Sequence, residues 1–375
     1  MNVEPIEEGF VSQRRPDDPA PVASGPRLAV TRDDELLCSF MVQSALGVND
    51  FVPMLSRSGD SGRTWIDEGP IWPQLSATYS LFGSISSAGP SGFVFYGVAT
   101  PIDEPGEMFW FDDTKTMKPN KLFTARSSDG RTWSDPDFIP LPVAGAAEAP
   151  GAMCVTRSGR RIACFAVEET LHPAESIDRQ QVVAICSDDA GATWNHSKML
   201  RFNEARSSGG EAWVIELSDG RLLGTSWHID LGEERDYPNA WALSHDGGQS
   251  WGPTCSTGII GQSTGLAPLA DGRALFVYNQ RKHAEAGVWL AVVRPTDSDF
   301  GVESNQVIWR APTTTQSESS GDYAEWRDFS FGEPAVAVLP DGDLLVVFWC
   351  IQSDGQGIRY VRLRTDSPAG ESGVL

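Results

Sequence analysis

Three glutamates stand at the start of apolar segments far apart in the chain. Glu148 lies in Ala-Ala-Glu-Ala-Pro, Glu211 in Gly-Gly-Glu-Ala-Trp-Val-Ile, and Glu333 in Phe-Gly-Glu-Pro-Ala-Val. A charged group at such a position is costly unless it is paired or used. Two carboxyl groups brought together are suited to acid–base work. Burial and mutual repulsion raise one pKa, leaving a proton donor beside an anion. Glycosidic bond cleavage needs such a pair, with a separation of about 5–5.5 Å for retention and about 6.5–9.5 Å for inversion. Asp50, in Gly-Val-Asn-Asp-Phe, is a further acid. Asp50, Glu148 and Glu211 are therefore the catalytic candidates.

Loops supply a second set. WHIDLGEERDYPNA (227–240) offers His228, Arg235 and Tyr237, and NQRKHAE (279–285) offers Arg281. With Glu333 these form the expected substrate-binding group. The segment 167–180 adds Glu168, His172 and Arg179. His228 can donate to a sugar hydroxyl or act as the base of a lyase. Trp110, Trp227, Tyr237 and Trp326 can stack on sugar rings, although Trp also fills gaps between sheets. No local His, Cys or carboxylate spacing marks a metal site, so neither metal nor cofactor is expected.

Two interleaved repeats describe the elements that carry these residues. Ser-x-Asp-x-Gly-x-Thr/Ser-Trp occurs at 58–65, 187–194 and 244–251, with a copy one residue shorter at 127–133. The tryptophans recur about every 57–68 residues, the scale of stacked supersecondary units. Between them, tight polar turns join apolar runs, as in Asp219-Gly-Arg, Asp271-Gly-Arg and Asp341-Gly-Asp. Asp-Gly between apolar runs signals a hairpin. Each unit reads as a four-stranded antiparallel meander, and its inner runs are apolar enough to lie between stacked sheets.

The expected architecture is all-β: a six-bladed β-propeller, which protects sheet edges by radial packing. The blades are expected at 24–75, 78–140, 145–201, 208–260, 262–312 and 328–365, within a single domain spanning 1–375. The last unit lacks a fourth strand, and residues 9–14 can supply it and close the ring.

Composition narrows the partners. The formal charge of −22 disfavours nucleic acid and anionic membrane, both of which need cationic surface. No apolar run reaches the roughly 18 residues of a membrane span. The N-terminal MNVEPIEEGF has no basic or apolar leader pattern, which points to a cytoplasmic protein. Six cysteines without CxxC spacing read as small apolar fillers.

The repeated Ser-x-Asp turns resemble the Asp-boxes of the sialidase superfamily, and the blade pattern extends the resemblance over nearly the whole chain. It implies that the boxes lie on the face opposite the active site. It also implies an Asp acid/base, a Tyr–Glu pair and three arginines that grip a carboxylate. Asp50 matches the acid/base and Glu211 matches the Glu. The first arginine position reads Ser24-Gly25-Pro26, the second Trp227-His228, and Arg281 matches the third. The Tyr segment reads Phe329-Ser-Phe-Gly-Glu333-Pro334. Without the arginine grip, ordinary sialidase activity is not expected. Glu148 and Glu211 are also similar in blade placement to the Glu pair of exo-arabinanases. The resulting expectation is a glycoside hydrolase that cleaves a terminal bond of a small soluble oligosaccharide or glycoside with a carboxylate pair. The alternatives are a polysaccharide lyase and a non-catalytic glycan-binding propeller.

Overall fold

A computed structural model describes residues 1–31, 33–148, 151–204, 206–231, 235–316 and 327–366, excluding the side chains of 235, 236 and 263. Among the described residues, six antiparallel sheets of four or five strands follow one another along the chain, forming a six-bladed β-propeller. The first strands of the blades are Val22–Val30, Tyr79–Ser87, Ala146–Glu148, Ser207–Glu216, Gln262–Pro268 and Phe331–Val338. The blade limits fall within five residues of those expected, and three coincide with them.

Burial decreases outward along each blade. The second strand of blade 1, Leu36–Gln43, is buried at every position, whereas its fourth, Ile66–Pro70, is mostly accessible. Inner strands have a neighbouring blade on both faces, so their sequences are continuously apolar rather than alternating. Phe82, Tyr96 and Val98 of blade 2, for example, share one cluster with Ala163, Phe165 and Val167 of blade 3.

Closure uses more of the N-terminus than expected. Val3–Arg14 pairs antiparallel with Gly355–Thr365, from Val3 opposite Thr365 to Arg14 opposite Gln356. Gln306 of blade 5 donates to the Val3 carbonyl at 2.8 Å, tying this strand to the next sheet.

The Ser-x-Asp turns are staples. In the blade 4 copy, Asp246 accepts from the Ser250 amide at 2.9 Å and from the Ser250 hydroxyl. Ser244 Oγ accepts from the Gly248 amide at 2.8 Å. Gly248 has φ 86°, a region that favours glycine. These bonds hold the Asp246 carboxyl at about 2, the Ser250 hydroxyl contributing most. Blade 6 needs no such turn, because its outer strand comes from the other end of the chain. Asp246→Ala is expected to destabilise the fold by about 1 kcal/mol, an exposed-site value, while ligand binding is unchanged. Thermal unfolding beside a binding isotherm checks this.

Strand pairing shows which face the staples occupy. In blade 1, Val22 lies opposite Gln43 at one end, and Leu36 lies opposite Ser58, where a staple begins, at the other. Ser24 and Gln43 line the central pocket. The staples and the pocket are therefore on opposite faces.

Candidate active site

The pocket has a volume of about 260 Å³ and draws residues from all six blades. Ligand pockets usually span about 300–1,000 Å³, so this one is small. Glu148, Glu168, Glu211, Asp230 and Glu333 contribute acids, and Lys115 and Arg281 contribute cations.

One backbone device positions the key carboxylates. The first strands of blades 1, 4 and 6 each carry a bulge, between Ser24 and Arg27, Gly210 and Trp213, and Gly332 and Ala335. Each bulge holds a residue at positive φ: Gly25 at 59°, Glu211 at 45° and Glu333 at 49°. Glycine adopts this conformation freely, whereas a longer residue incurs a strain of about 1–3 kcal/mol. Two blades thus place a glutamate where glycine is the relaxed choice. Glu211→Gly is expected to unfold at or above the wild-type temperature while losing any catalytic function. Paired melting and turnover assays check both halves of that expectation.

The bulges are linked across neighbouring blades. The Glu211 amide donates to Glu148 Oε2 at 2.8 Å, and the Gly25 amide donates to Glu333 Oε2 at 2.8 Å. Two glutamates thus occupy related positions on different sides of the ring, in different electrostatic settings. Burial pushes the Glu148 carboxyl well above the usual range, and repulsion from Glu211 adds to the rise. Burial also raises Glu333, but Arg27, then the Gly25 amide, then Arg281 oppose it. Glu168 is raised by burial against the pull of Arg179, and it accepts from Ser208 Oγ at 2.8 Å. Glu148 is therefore a carboxyl whose proton is favoured by burial and by the neighbouring Glu211 carboxyl, against the opposing pull of the Glu211 amide.

The other expected site residues divide. Arg281 lines the pocket, with its guanidinium on the Phe331 carbonyl at 3.0 Å and Gln262 Oε1 at 3.0 Å. It also lies 4.0 Å from the Phe329 ring centre. Asp50 is outside the pocket lining, and its carboxylate accepts from the Ser44 amide at 3.2 Å, while its neighbour Phe51 faces the pocket. His228 is packed away from the pocket between Phe202 and Tyr237, with ring centres at 4.3 Å and 4.5 Å. Burial lowers its pKa. Tyr237 is likewise outside the lining, and its hydroxyl donates to Asp230 at 3.0 Å. The side chain of Arg235 and the whole of Trp326 lie outside the described residues. The described pocket lining contains neither tyrosine nor histidine.

Sequence reading overlooked Arg27 and Lys115. Arg27 is buried, with its guanidinium 4.9 Å from the Trp213 ring centre. Burial lowers its pKa, and the charges of Glu333 and then Glu211 oppose that. It directly follows the Ser24-Gly25-Pro26 segment where an arginine was sought. The buried charge itself was the signal, because an arginine inside an apolar strand needs partners.

Sequence and fold comparisons agree on the class. The family model for the BNR repeat-like domain matches residues 107–346. The chain belongs to this family, and its ring is a sialidase-like propeller. A protein of unknown function from Dyadobacter fermentans DSM 18053 is similar at 19% identity and a TM-score of 0.71, covering 96% of this chain and 99% of that one. The Hadza microbial sialidase Hz136 is similar at 19% identity and 0.67, covering 95% and 68%. The Penicillium chrysogenum α-L-arabinanase, solved with arabinobiose, is similar at 14% identity and 0.63, covering 96% and 98%. No curated protein matches the chain. Among the described residues, no helix is long and apolar enough to cross a membrane.

Proposed function

We propose that the pocket hydrolyses a terminal glycosidic bond of a small neutral glycoside, with Glu148 as general acid and Glu211 as its carboxylate partner. One observation carries this reading: Glu148, raised by burial and by Glu211, accepts the amide of that same residue at 2.8 Å. A protonated carboxyl delivers its proton to the glycosidic oxygen as the C–O bond breaks. The partner carboxylate meets the positive charge developing at the anomeric carbon, either directly or through water. Arg27 lies beneath Glu333 and Glu211 as a fixed counter-charge.

The acidic lining favours a neutral sugar over a sialic acid. Acids outnumber cations in the lining even with Glu148 protonated, four against two, which disfavours a substrate carboxylate. Arg281, the one arginine in the described lining, is already bonded to Phe331 and Gln262. A lyase lacks a His or Tyr base among these lining residues, so hydrolysis is the better-supported chemistry. The test is a panel of neutral aryl glycosides with the wild type and Glu211→Gln. Turnover by the wild type alone supports the reading; equal turnover by the variant overturns it.

A further inference from the structure

The pocket is two-sided: one side carries the acids, and the other is mainly apolar. The acids come from blades 3, 4 and 6. The arc from blades 1 and 2 presents Leu46, Phe51, Phe82, Phe109, Trp110 and Met117. Phe51 is the centre of this arc, with Phe82 at 5.2 Å edge-on and Phe109 at 5.5 Å. The polar groups on this side are few: Gln43 donates to Ser24 Oγ at 3.4 Å while its Oε1 has no partner among the described residues, Thr100 adds a hydroxyl, and two others are engaged internally. Asn120 donates to the Ala147 carbonyl and accepts its amide, both at 2.9 Å. Ser80 Oγ accepts from the Phe51 amide at 2.9 Å. Lys115, in the turn of the small hairpin between Trp110 and Met117, is the charged residue the arc adds.

The apolar arc is also held in place before any ligand arrives. The loop ahead of Phe51 is bridged to the loop ahead of Phe109 through Val48 and Met108. The Asn49 amide donates to the Glu107 carbonyl at 2.7 Å. Lys118, largely buried, ties the second loop through Asp103 at 2.8 Å and Glu107 at 2.6 Å. A pre-formed apolar wall binds an apolar group without first having to order itself.

We propose that this arc is an aglycone subsite, and that the substrate is a glycoside whose leaving group is an alkyl or aryl alcohol rather than another sugar. The proposal rests on the hydrolase reading for the placement of the sugar, at Glu148 and Glu211. Ala147, bonded to Asn120 of blade 2, and its neighbour Glu148 border the blade 2 side of the pocket, so a sugar at the acids directs its leaving group toward the arc. Against this wall an apolar alcohol buries its surface, a gain that the hydroxyl-bearing faces of a second sugar share only in part.

Calorimetry on the full chain carrying Glu211→Gln tests this with matched methyl and butyl glycosides of the common neutral sugars. For each sugar that binds, the butyl compound is expected to bind at least about tenfold more tightly, given three additional buried methylenes. Phe109→Asn is expected to remove most of that preference, weakening the butyl compound more than the methyl one, whereas Phe109→Leu keeps it. Equal Kd values within the pairs, or no binding by any pair, overturn the proposal. Hydrolysis by the wild type is read separately. A butyl preference without turnover keeps the subsite and defeats the hydrolase reading; turnover without a preference does the reverse.

Discussion

Glutamine at position 211 is expected to lower kcat/KM on neutral aryl glycosides by roughly a thousandfold or more, with the melting temperature little changed. The amide keeps the size of the side chain and its left-handed backbone, and the Glu211 amide still donates to Glu148. Only the negative charge that we propose faces the anomeric carbon is lost. Removing it also relieves the second-largest cause of the raised Glu148 carboxyl. The variant therefore loses the anion and has a weaker hold on the proton of its acid. Steady-state kinetics with circular dichroism separate this from unfolding.

Arg27→Met is expected to give the largest loss of stability, about 3–5 kcal/mol at neutral to alkaline pH. The guanidinium is buried, and its charge is opposed mainly by Glu333, then by Glu211. Without it, Glu333 loses the main influence that restrains the rise caused by burial. The sign follows from linkage. A carboxyl whose folded pKa is raised gives its full stability below the unfolded value of about 4.3, and that stability is lost as pH rises through the folded value. Removing Arg27 moves the folded value higher, so the deficit widens with pH. Urea unfolding at about pH 5 and about pH 8 should show the smaller deficit at the acid end. An equal deficit at both would show that packing against Trp213, not charge, is what Arg27 provides.

The ring and its stapled face could be read from the chain because four staples and six tight turns repeat at blade spacing. The glutamates could be read because each interrupts the opening of a core strand, where an unpaired charge has no structural use. Side-chain parity could not. Trp227 and His228 are adjacent in one strand, so one faces the pocket and the other the next sheet. Nothing local decides which; packing of His228 against Phe202 does. Asp50 and Phe51 repeat the problem at the blade 1 loop, where the apolar neighbour faces inward. The bulges were hidden for a related reason. An extra residue in a first strand shifts the register, which carries Arg27 inside and turns Glu211 and Glu333 to positive φ.

The most direct measurement is the pH dependence of kcat/KM for wild type and Glu148→Gln on one neutral glycoside with a good leaving group and one with a poor one. With Glu148 as the acid, the wild-type profile falls at high pH as its proton is lost. In the variant that fall disappears, and only the poor leaving group becomes much slower. If both substrates are cleaved by the variant at wild-type rates with the alkaline fall intact, Glu148 is not the acid and the carboxylate-pair mechanism is wrong.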